Sequence, residues 1–216
     1  MNPLLEVRSL FIDIPLPAGM LHAVRDVSFT VRCGETVCLV GESGCGKSLS
    51  ALAIMDLLPP LARRRADRLQ LEDTDLVRMG PRAMADIRGQ RMAMIFQEPM
   101  TSLNPCYTIG NQLVEALQRH RSVSAVKARE RAVFLLEKVG ITVAASRLEQ
   151  YPHQLSGGLR QRVMIAMGLM CNRCGWASDR CSQSDIDMVA LGPGRGYRCL
   201  LSPEESRQQV KSRAAS

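Results

Sequence analysis

The feature that most constrains this chain is the glycine-rich segment GESGCGKS at residues 41–48, which matches the pattern G-x-x-x-x-G-K-S. The apolar run ETVCLV precedes it at residues 35–40, and a largely apolar stretch follows it up to Pro59 and Pro60. The run predicts a buried parallel strand. The stretch predicts a helix over residues 48–58, because proline cannot continue a helix. A strand, a glycine loop and a helix in this order predict an α/β fold.

The loop residues are suited to binding a chain of phosphates. Glycine lets the backbone curl so that successive N–H groups face phosphate oxygens, and the N-terminus of the following helix adds positive potential. Lys47 is expected to reach the β- and γ-phosphates, and Ser48 is expected to ligate Mg²⁺. Cys45 is interpreted as a small residue tolerated in the loop, with a redox-sensitive thiol as the alternative. The candidate nucleotide-binding residues of the loop are Gly41, Glu42, Ser43, Gly44, Cys45, Gly46, Lys47 and Ser48.

Composition is that of an ordinary globular protein with one domain. The chain has 216 residues, of which 46% are hydrophobic and 23% charged. The net charge of +7 permits nucleic acid, anionic lipid or nucleotide partners, but apart from a run at residues 63–65 the arginines are scattered, which favours a solvated basic surface. No stretch approaches the roughly 20 apolar residues that span a bilayer. The N-terminus lacks the features of a signal peptide, so a cytosolic location with reduced thiols is expected.

Other segments show the periodicity of strands or helices. Residues 4–14 and 23–31 predict two strands around a PLPAGM loop, and residues 91–96 predict another buried strand. Helical spacing of apolar residues predicts helices over 112–120, 126–139 and 156–170.

Two further motifs accompany the glycine loop. MAMIFQEPMTSLNP occupies residues 92–105, and LSGGLRQR occupies residues 155–162. Gln97 can both donate and accept hydrogen bonds, and Ser156 with the two glycines after it opens a helix whose free N–H groups can hold an anion. Together with GESGCGKS, these motifs resemble the ATP-binding subunits of ABC transporters, most of all those of the dipeptide and oligopeptide (peptide/nickel) importers.

The resemblance implies a P-loop NTPase of the ABC ATPase type, with an N-terminal antiparallel β part and a helical subdomain at about residues 98–160. It implies that Ser156, Gly157 and Gly158 bind the γ-phosphate of ATP held by a second ABC ATPase subunit. Gln97 would be catalytic, reaching Mg²⁺ and the attacking water. The implied cofactors are therefore ATP and Mg²⁺.

The resemblance also implies partners and a location. The partners would be ABC permease membrane subunits, a second ABC ATPase subunit in a homo- or heterodimer, and, indirectly, an extracytoplasmic solute-binding protein, without nucleic acid. The chain would lie peripherally on the cytoplasmic face of the inner membrane. Which solute is transported is not encoded in any pattern of this subunit.

Two positions near the motifs receive separate interpretations. The family places an aromatic residue near the end of the first strand to stack on adenine, and Ile14 takes that position here. Phe11 is nearby but in a different register, so the adenine contact stays open. His153, in the segment YPHQ that the peptide importers also carry, is interpreted as a structural residue and not as a catalytic base.

The resemblance stops near residue 172. ABC ATPases continue into four apolar residues and an Asp-Glu pair, and the positions of that pair are taken here by Asp179 and Arg180. Asp179 is the weaker candidate for a catalytic, Mg²⁺-binding residue, and Arg180 stays protonated and cannot accept a proton from water. None of the three histidines corresponds to the family's switch histidine. The sequence therefore leaves ATPase activity open.

The last segment, residues 173–216, contains Gly, Ser, Arg and Cys with little periodicity. It is expected to be a non-matching, disordered tail behind an incomplete ABC ATPase domain at residues 1–172. A zinc site is the alternative there, although only one close cysteine pair is present among Cys171, Cys174, Cys181 and Cys199.

Three functions are weighed. The first is the ATP-binding component of a peptide importer. The second is a non-catalytic remnant that binds nucleotide weakly or does not fold. The third, a P-loop ATPase acting on nucleic acid, is disfavoured by LSGG and the segment after Gln97.

The loss of periodicity and of family resemblance after about residue 172 suggests that the chain is truncated or frameshifted there. A frameshift makes a specific prediction about the gene. One of the other two reading frames downstream of that codon should encode an apolar run, Asp-Glu and a histidine. Translation of the gene in all three frames checks this. Their absence from both frames would contradict a simple frameshift.

Overall fold

The structure is a computed structural model that describes residues 3–98 and 102–170, together with the backbone of residues 188–192 and 195–198. The chain divides into two compact units, Met1–Cys171 and Asn172–Ser216. The elements of the first unit are β1 (Leu5–Leu16), β2 (Gly19–Val31), α1 (Lys47–Ile54), β3 (Arg63–Arg65), β4 (Arg68–Leu71), β5 (Thr74–Asp75), α2 (Pro81–Ile87), α3 (Ile109–His120), α4 (Ala125–Lys138), α5 (Ala144–Arg147) and α6 (Gly157–Gly168).

The described part of the second unit is an antiparallel hairpin of β6 (Met188–Gly192) and β7 (Arg195–Arg198). The rest of the predicted tail, with Asp179 and the four cysteines of the zinc alternative, lies outside the described residues. No helix in the described ranges combines the length and the apolar content that a bilayer crossing requires.

The first layer of the larger unit is an antiparallel sheet in the order β2-β1-β4-β5, with β3 also paired to β1. The predicted strands over residues 4–14 and 23–31 are confirmed as β1 and β2. A register shift follows Val7, and Ser9 has a φ of 49° there, so the buried side of β1 continues at Leu10 and Ile12. Such a bulge re-aims the side chains of a strand without ending it.

Two apolar clusters form the core of this unit. The β cluster joins the inner face of the sheet to α1 and α2, and its buried members include Leu10, Ile12, Val24, Ala53, Leu69 and Met84. The helical cluster joins α3 to α6, and its buried members include Ile109, Leu113, Leu136, Leu148, Leu155 and Val163. The helices predicted over 112–120, 126–139 and 156–170 are confirmed as α3, α4 and α6, with ends that differ by a few residues.

The end of α3 meets α2 through polar contacts. Arg119 Nη2 lies 2.5 Å from Asp86 Oδ1, and His120 packs so closely on Gly89 that a Cβ there would lie 2.5 Å from the His120 Nε2. Burial and the neighbouring Arg119 lower the pKa of His120, and Asp86 opposes this shift. The two clusters are therefore linked at one point by packing and by charge.

Two predicted strands are wrong. Residues 35–40 and 91–96 have no regular secondary structure apart from an isolated bridge between Arg88 and Met92. Most of their apolar side chains are exposed, by 86% at Val40 and by 46% at Ile95, whereas Met92 packs against the β cluster. A parallel strand needs neighbours that accept and donate its backbone hydrogen bonds. The described residues place no such neighbour beside these segments, and local apolarity alone does not form the strand.

The helix after the glycine loop is shorter than predicted. It ends at Ile54 and not at residue 58, because Asp56 adopts the left-handed conformation with a φ of 54°. The Leu57 N–H then donates to the Leu52 carbonyl at 2.8 Å, which is the hydrogen bond of a Schellman helix end. The helix therefore stops before Pro59 can interrupt it.

Two guanidinium groups cap the C-terminus of α1. Arg64 donates to the Ala53 carbonyl at 2.5 Å, and Arg88 donates to the Met55 and Asp56 carbonyls at 2.9 and 3.2 Å. Cations at this end of a helix satisfy free carbonyls and oppose the negative end of the dipole. The solvated basic surface that was predicted for the chain therefore does not include Arg64, whose side chain is 13% exposed.

Replacement of Arg64 tests this cap. Arg64→Met should lower the free energy of unfolding by about 1–3 kcal/mol, because the buried Leu76 carbonyl loses its guanidinium donor and the Ala53 carbonyl keeps only the Asp56 N–H. Arg63→Met is the matched control, since Arg63 is exposed in the same strand and should change stability by less than about 0.5 kcal/mol. Urea denaturation followed by far-UV circular dichroism measures both. Equal losses would contradict a capping role.

Candidate functional site

The glycine loop joins the sheet to α1 through Gly46. Gly46 is the N-cap of α1 and has a φ of 89°, in the left-handed region. A Cβ at this position would lie 2.7 Å from Val24 Cγ2 and 2.8 Å from the Ala23 carbonyl oxygen of β2. Only glycine satisfies both the backbone conformation and the close approach. This contact places the N-terminus of α1 directly against the second strand.

Lys47 folds back over the loop that precedes it. Its Nζ donates to the Gly41 carbonyl at 2.8 Å and to the Glu42 carbonyl at 2.6 Å, and it lies 3.2 Å from Cys45 Sγ. The ammonium has three donors and no acceptor, so these contacts use its full capacity. The positive charge is therefore held over the backbone carbonyls of its own loop.

The other loop residues stay accessible. Glu42, Ser43, Gly44 and Cys45 are exposed, and so is Ser48, the second residue of α1. Ser50, one half-turn further, is buried and donates to the Gly46 carbonyl at 3.0 Å. The loop and the first turn of α1 thus present accessible polar groups on the solvent side, while Ser50 anchors the turn on the core side.

Gln97 is exposed, at the end of the segment that was predicted as a strand. Residues 104–107 of the loop after it are held by Gln112 of α3, a residue that belongs to none of the sequence motifs. Gln112 accepts from the Asn104 N–H at 2.9 Å and donates to the Asn104 and Tyr107 carbonyls at 3.0 Å each. The Asn-Pro pair at 104–105 signals a turn, but nothing in the sequence connects it to Gln112.

Ser156 opens α6 as predicted. Its side chain caps the helix by accepting from the Leu159 N–H at 3.4 Å, and Gly157 and Gly158 are exposed with open space where a Cβ would stand. Arg160 fixes the approach to this turn by donating from Nε to the Leu155 carbonyl at 3.0 Å. The result is an accessible helix N-terminus with free N–H groups.

His153 lies in the short 3₁₀ turn before this helix. Its exposed ring stacks on the Tyr151 ring, with centroids 5.6 Å apart. The Tyr151 N–H donates to Gln154 Oε1 at 2.8 Å and closes the turn. These contacts agree with the structural interpretation of His153.

The candidate residues belong to two different parts of the larger unit. The glycine loop and α1 pack on the β cluster, whereas Leu155 and α6 pack in the helical cluster. Ile14 and Phe11, the two residues considered for the adenine contact, lie on opposite faces of β1. Ile14 packs on the β cluster, whereas Phe11 pairs with Arg65 on the other face. In the described part of the chain, no group of three or more His, Cys, Asp or Glu side chains could hold a metal ion.

Comparison with known proteins agrees with this architecture. The family model described as ABC transporter matches residues 24–181. The chain belongs to the ABC transporter family.

Within that family the similarity is to peptide-transport ATP-binding proteins. The chain is 48% identical over 172 residues to the dipeptide transport ATP-binding protein DppD of Bacillus subtilis (strain 168), covering 79% of this chain and 51% of that protein. It is 48% identical over 168 residues to DppD of Escherichia coli (strain K12), covering 78% and 51%. The oligopeptide transport ATP-binding protein OppD of Bacillus subtilis is 46% identical over 170 residues, covering 78% and 48%. The chain thus spans about half the length of the curated relatives it matches.

Solved structures show the same fold. The dimeric, post-hydrolysis structure of the ATP-binding cassette MJ0796 bound to ADP and Pi matches with a TM-score of 0.69 and 24% identity, over 78% of this chain and 70% of that one. The structure of an ATP-binding subunit of an ABC transporter matches with a TM-score of 0.57 and 26% identity, over 77% and 62%. The predicted ABC ATPase fold class is confirmed.

A glycine comparison tests the packing of the loop on β2. Gly46→Ala should be less stable than Gly44→Ala by about 1–3 kcal/mol, because only the former drives a Cβ into Val24 and a backbone carbonyl. Gly44 is the matched control, since its φ of 86° imposes the same left-handed strain but nothing lies within 4 Å of its Cβ position. Urea denaturation of both variants measures the difference. Equal stability would show that the close approach of α1 to β2 does not hold in solution.

Proposed function

We propose that this chain is the ATP-binding component of an ABC importer for peptides. It binds Mg-ATP on the glycine loop and energises transport through membrane permease subunits. The similarity to DppD and OppD supports the peptide class, since those proteins carry peptide transport in their names. The chain spans about half of their length, so the similarity does not by itself assign it the activity of a whole importer subunit. We propose that activity in addition.

The observation that carries the proposal is the position of Lys47 on the loop. Its ammonium lies within 2.8 Å of the Gly41 and Glu42 carbonyls. It is next to the N-terminus of α1, where the first backbone N–H groups of a helix have no intrahelical partner. A fixed cation, a helix dipole and curled backbone N–H groups together favour a polyphosphate over a neutral ligand. Cys45, Gly46 and the remaining loop residues contribute mainly backbone to this contact.

Magnesium fits the donors that are present. Mg²⁺ keeps most of its water and takes one or two protein oxygens together with phosphate oxygens. The exposed hydroxyl of Ser48, next to Lys47, is such a donor, and Gln97 supplies an amide oxygen from the other segment. A bound ion would neutralise phosphate charge. The hydroxyl of Ser48 and the amide oxygen of Gln97 would be its protein ligands.

A second subunit completes the site in this proposal. Ser156, Gly157 and Gly158 offer free N–H groups at an accessible helix end, in a part of the chain different from the glycine loop. They would bind the γ-phosphate of ATP held by the partner, in a homo- or heterodimer. The loop that Gln112 holds at residues 104–107 would face a permease subunit, so the chain would lie peripherally on the cytoplasmic side of the inner membrane.

Nucleotide binding tests this function. Lys47→Ala should weaken Mg-ATP binding by at least about tenfold, because a charge-assisted contact to phosphate is lost. Lys127→Ala is the matched control, since Lys127 is an exposed lysine on α4 and its loss changes the net charge equally. Isothermal titration calorimetry with the full chain measures both affinities.

ATP turnover is measured on the same samples. Turnover that Lys47→Ala abolishes and Lys127→Ala preserves supports an ATPase. Binding without turnover supports a chain that binds nucleotide and leaves hydrolysis to its partner subunit. Equal Mg-ATP affinity in wild type and Lys47→Ala would refute nucleotide binding at this loop.

A further inference from the structure

The outer face of the antiparallel sheet carries a cavity, wide open to solvent, that none of the motifs explains. Its volume is about 380 Å³, and its lining consists of Phe11, Asp13, His22, Arg25 and Arg65. This volume lies within the range of about 300–1,000 Å³ that is typical of small-molecule sites.

The strand register places these residues on one face. Phe11 is paired with Arg65 of β3, and Asp13 is paired with His22 of β2. Directly paired residues of antiparallel strands point to the same side of the sheet. Ile12 and Val24, which are also paired, are buried on the opposite side with α1. The cavity therefore faces away from α1 and is separate from the glycine loop.

The charge of this face is positive. Asp13 is its one carboxylate among the lining residues, and its Oδ1 lies 2.6 Å from His22 Nδ1. Arg63 is paired with Asp13 in the strand register and so adds a third guanidinium to the same side. Within the described ranges, Arg25, Arg63 and Arg65 form no ion pair with a carboxylate. Three guanidinium groups on this face, two of them lining the cavity, thus remain available to an anion.

An aromatic ring lies beside these charges. The Arg65 guanidinium carbon is 4.7 Å from the centroid of the Phe11 ring, within the range of a cation–π contact. Phe11 is half-buried, whereas the arginines are exposed. The Phe11 ring therefore limits the positions that the Arg65 guanidinium adopts. It also provides an apolar surface next to that guanidinium.

We propose that this cavity binds a small anion that carries a planar ring. The phosphate or carboxylate contacts Arg25 and Arg65, since a guanidinium fork matches either group with two hydrogen bonds. The planar ring packs on Phe11 and on the face of the Arg65 guanidinium. Nucleoside monophosphates and aromatic carboxylates share this chemistry.

The test is a titration of the ¹⁵N-labelled full chain with phenyl phosphate, followed by amide chemical shifts. Shifts are expected on the three strands around the cavity, β1 to β3, and at a lower concentration than with inorganic phosphate. Arg65→Gln should weaken binding by about tenfold, and Phe11→Leu should remove the preference for the ring. Arg82→Gln is the matched control, since Arg82 is exposed on α2 and its loss changes the charge equally.

The outcomes separate this site from the glycine loop and identify the source of the anion. Lys47→Ala should leave the phenyl phosphate shifts on β1 to β3 and their dissociation constant unchanged, whether or not the glycine loop binds a phosphate. Parallel titrations with AMP and with benzoate show whether a nucleotide or an aromatic acid binds more tightly. Equal affinities of Arg65→Gln and Arg82→Gln would overturn the site. Equal binding of inorganic and phenyl phosphate would do the same, because no ring would then be recognised.

Discussion

The packing of α1 against the antiparallel sheet determines where the candidate phosphate-binding groups of the glycine loop lie. At one end Gly46 touches Val24 and the Ala23 carbonyl, and at the other end Arg64 and Arg88 hold the last carbonyls of the helix. Between them Ala53 is fully buried in the β cluster. A helix fixed at both ends keeps its N-terminus, and therefore the loop with Lys47, at a defined place on the sheet. Phosphate binding requires such a preformed N-terminus because the free N–H groups act only over short distances.

Two apolar segments of this chain do not form strands, because their backbone has no neighbours to pair with in the described residues. The segments before the glycine loop and before Gln97 expose apolar side chains and have no strand neighbours in the described residues. The relatives are about twice as long as the matched region, and the structural matches are to cassettes that this chain covers only in part. The glycine loop is therefore held by local packing, whereas strands beside it need hydrogen-bonding neighbours that these segments do not provide themselves.

Sequence patterns predicted the elements whose form depends on nearby residues. β1 and β2 alternate and pair with each other, and α6 begins at Ser156 because that side chain caps it. The strand predicted at residues 35–40 is wrong because an apolar run has the same sequence pattern whether or not neighbouring strands pair with it. Arg64 was missed because three consecutive arginines resemble a solvated surface, and only pairing with β1 turns the middle one inward. Gln112 was missed because its hydrogen bonds reach a loop that the sequence does not place beside α3.

We propose that the loop at residues 41–48 binds the phosphates of Mg-ATP, and the backbone amide chemical shifts of this loop during a titration with Mg-ATP test this most directly. If the loop binds the phosphates, the amides of Gly44, Gly46, Lys47 and Ser48 shift together and saturate at one common dissociation constant. Amides of this loop that stay unchanged while Mg-ATP reaches millimolar concentration, or that shift less than those elsewhere in the chain, would contradict it.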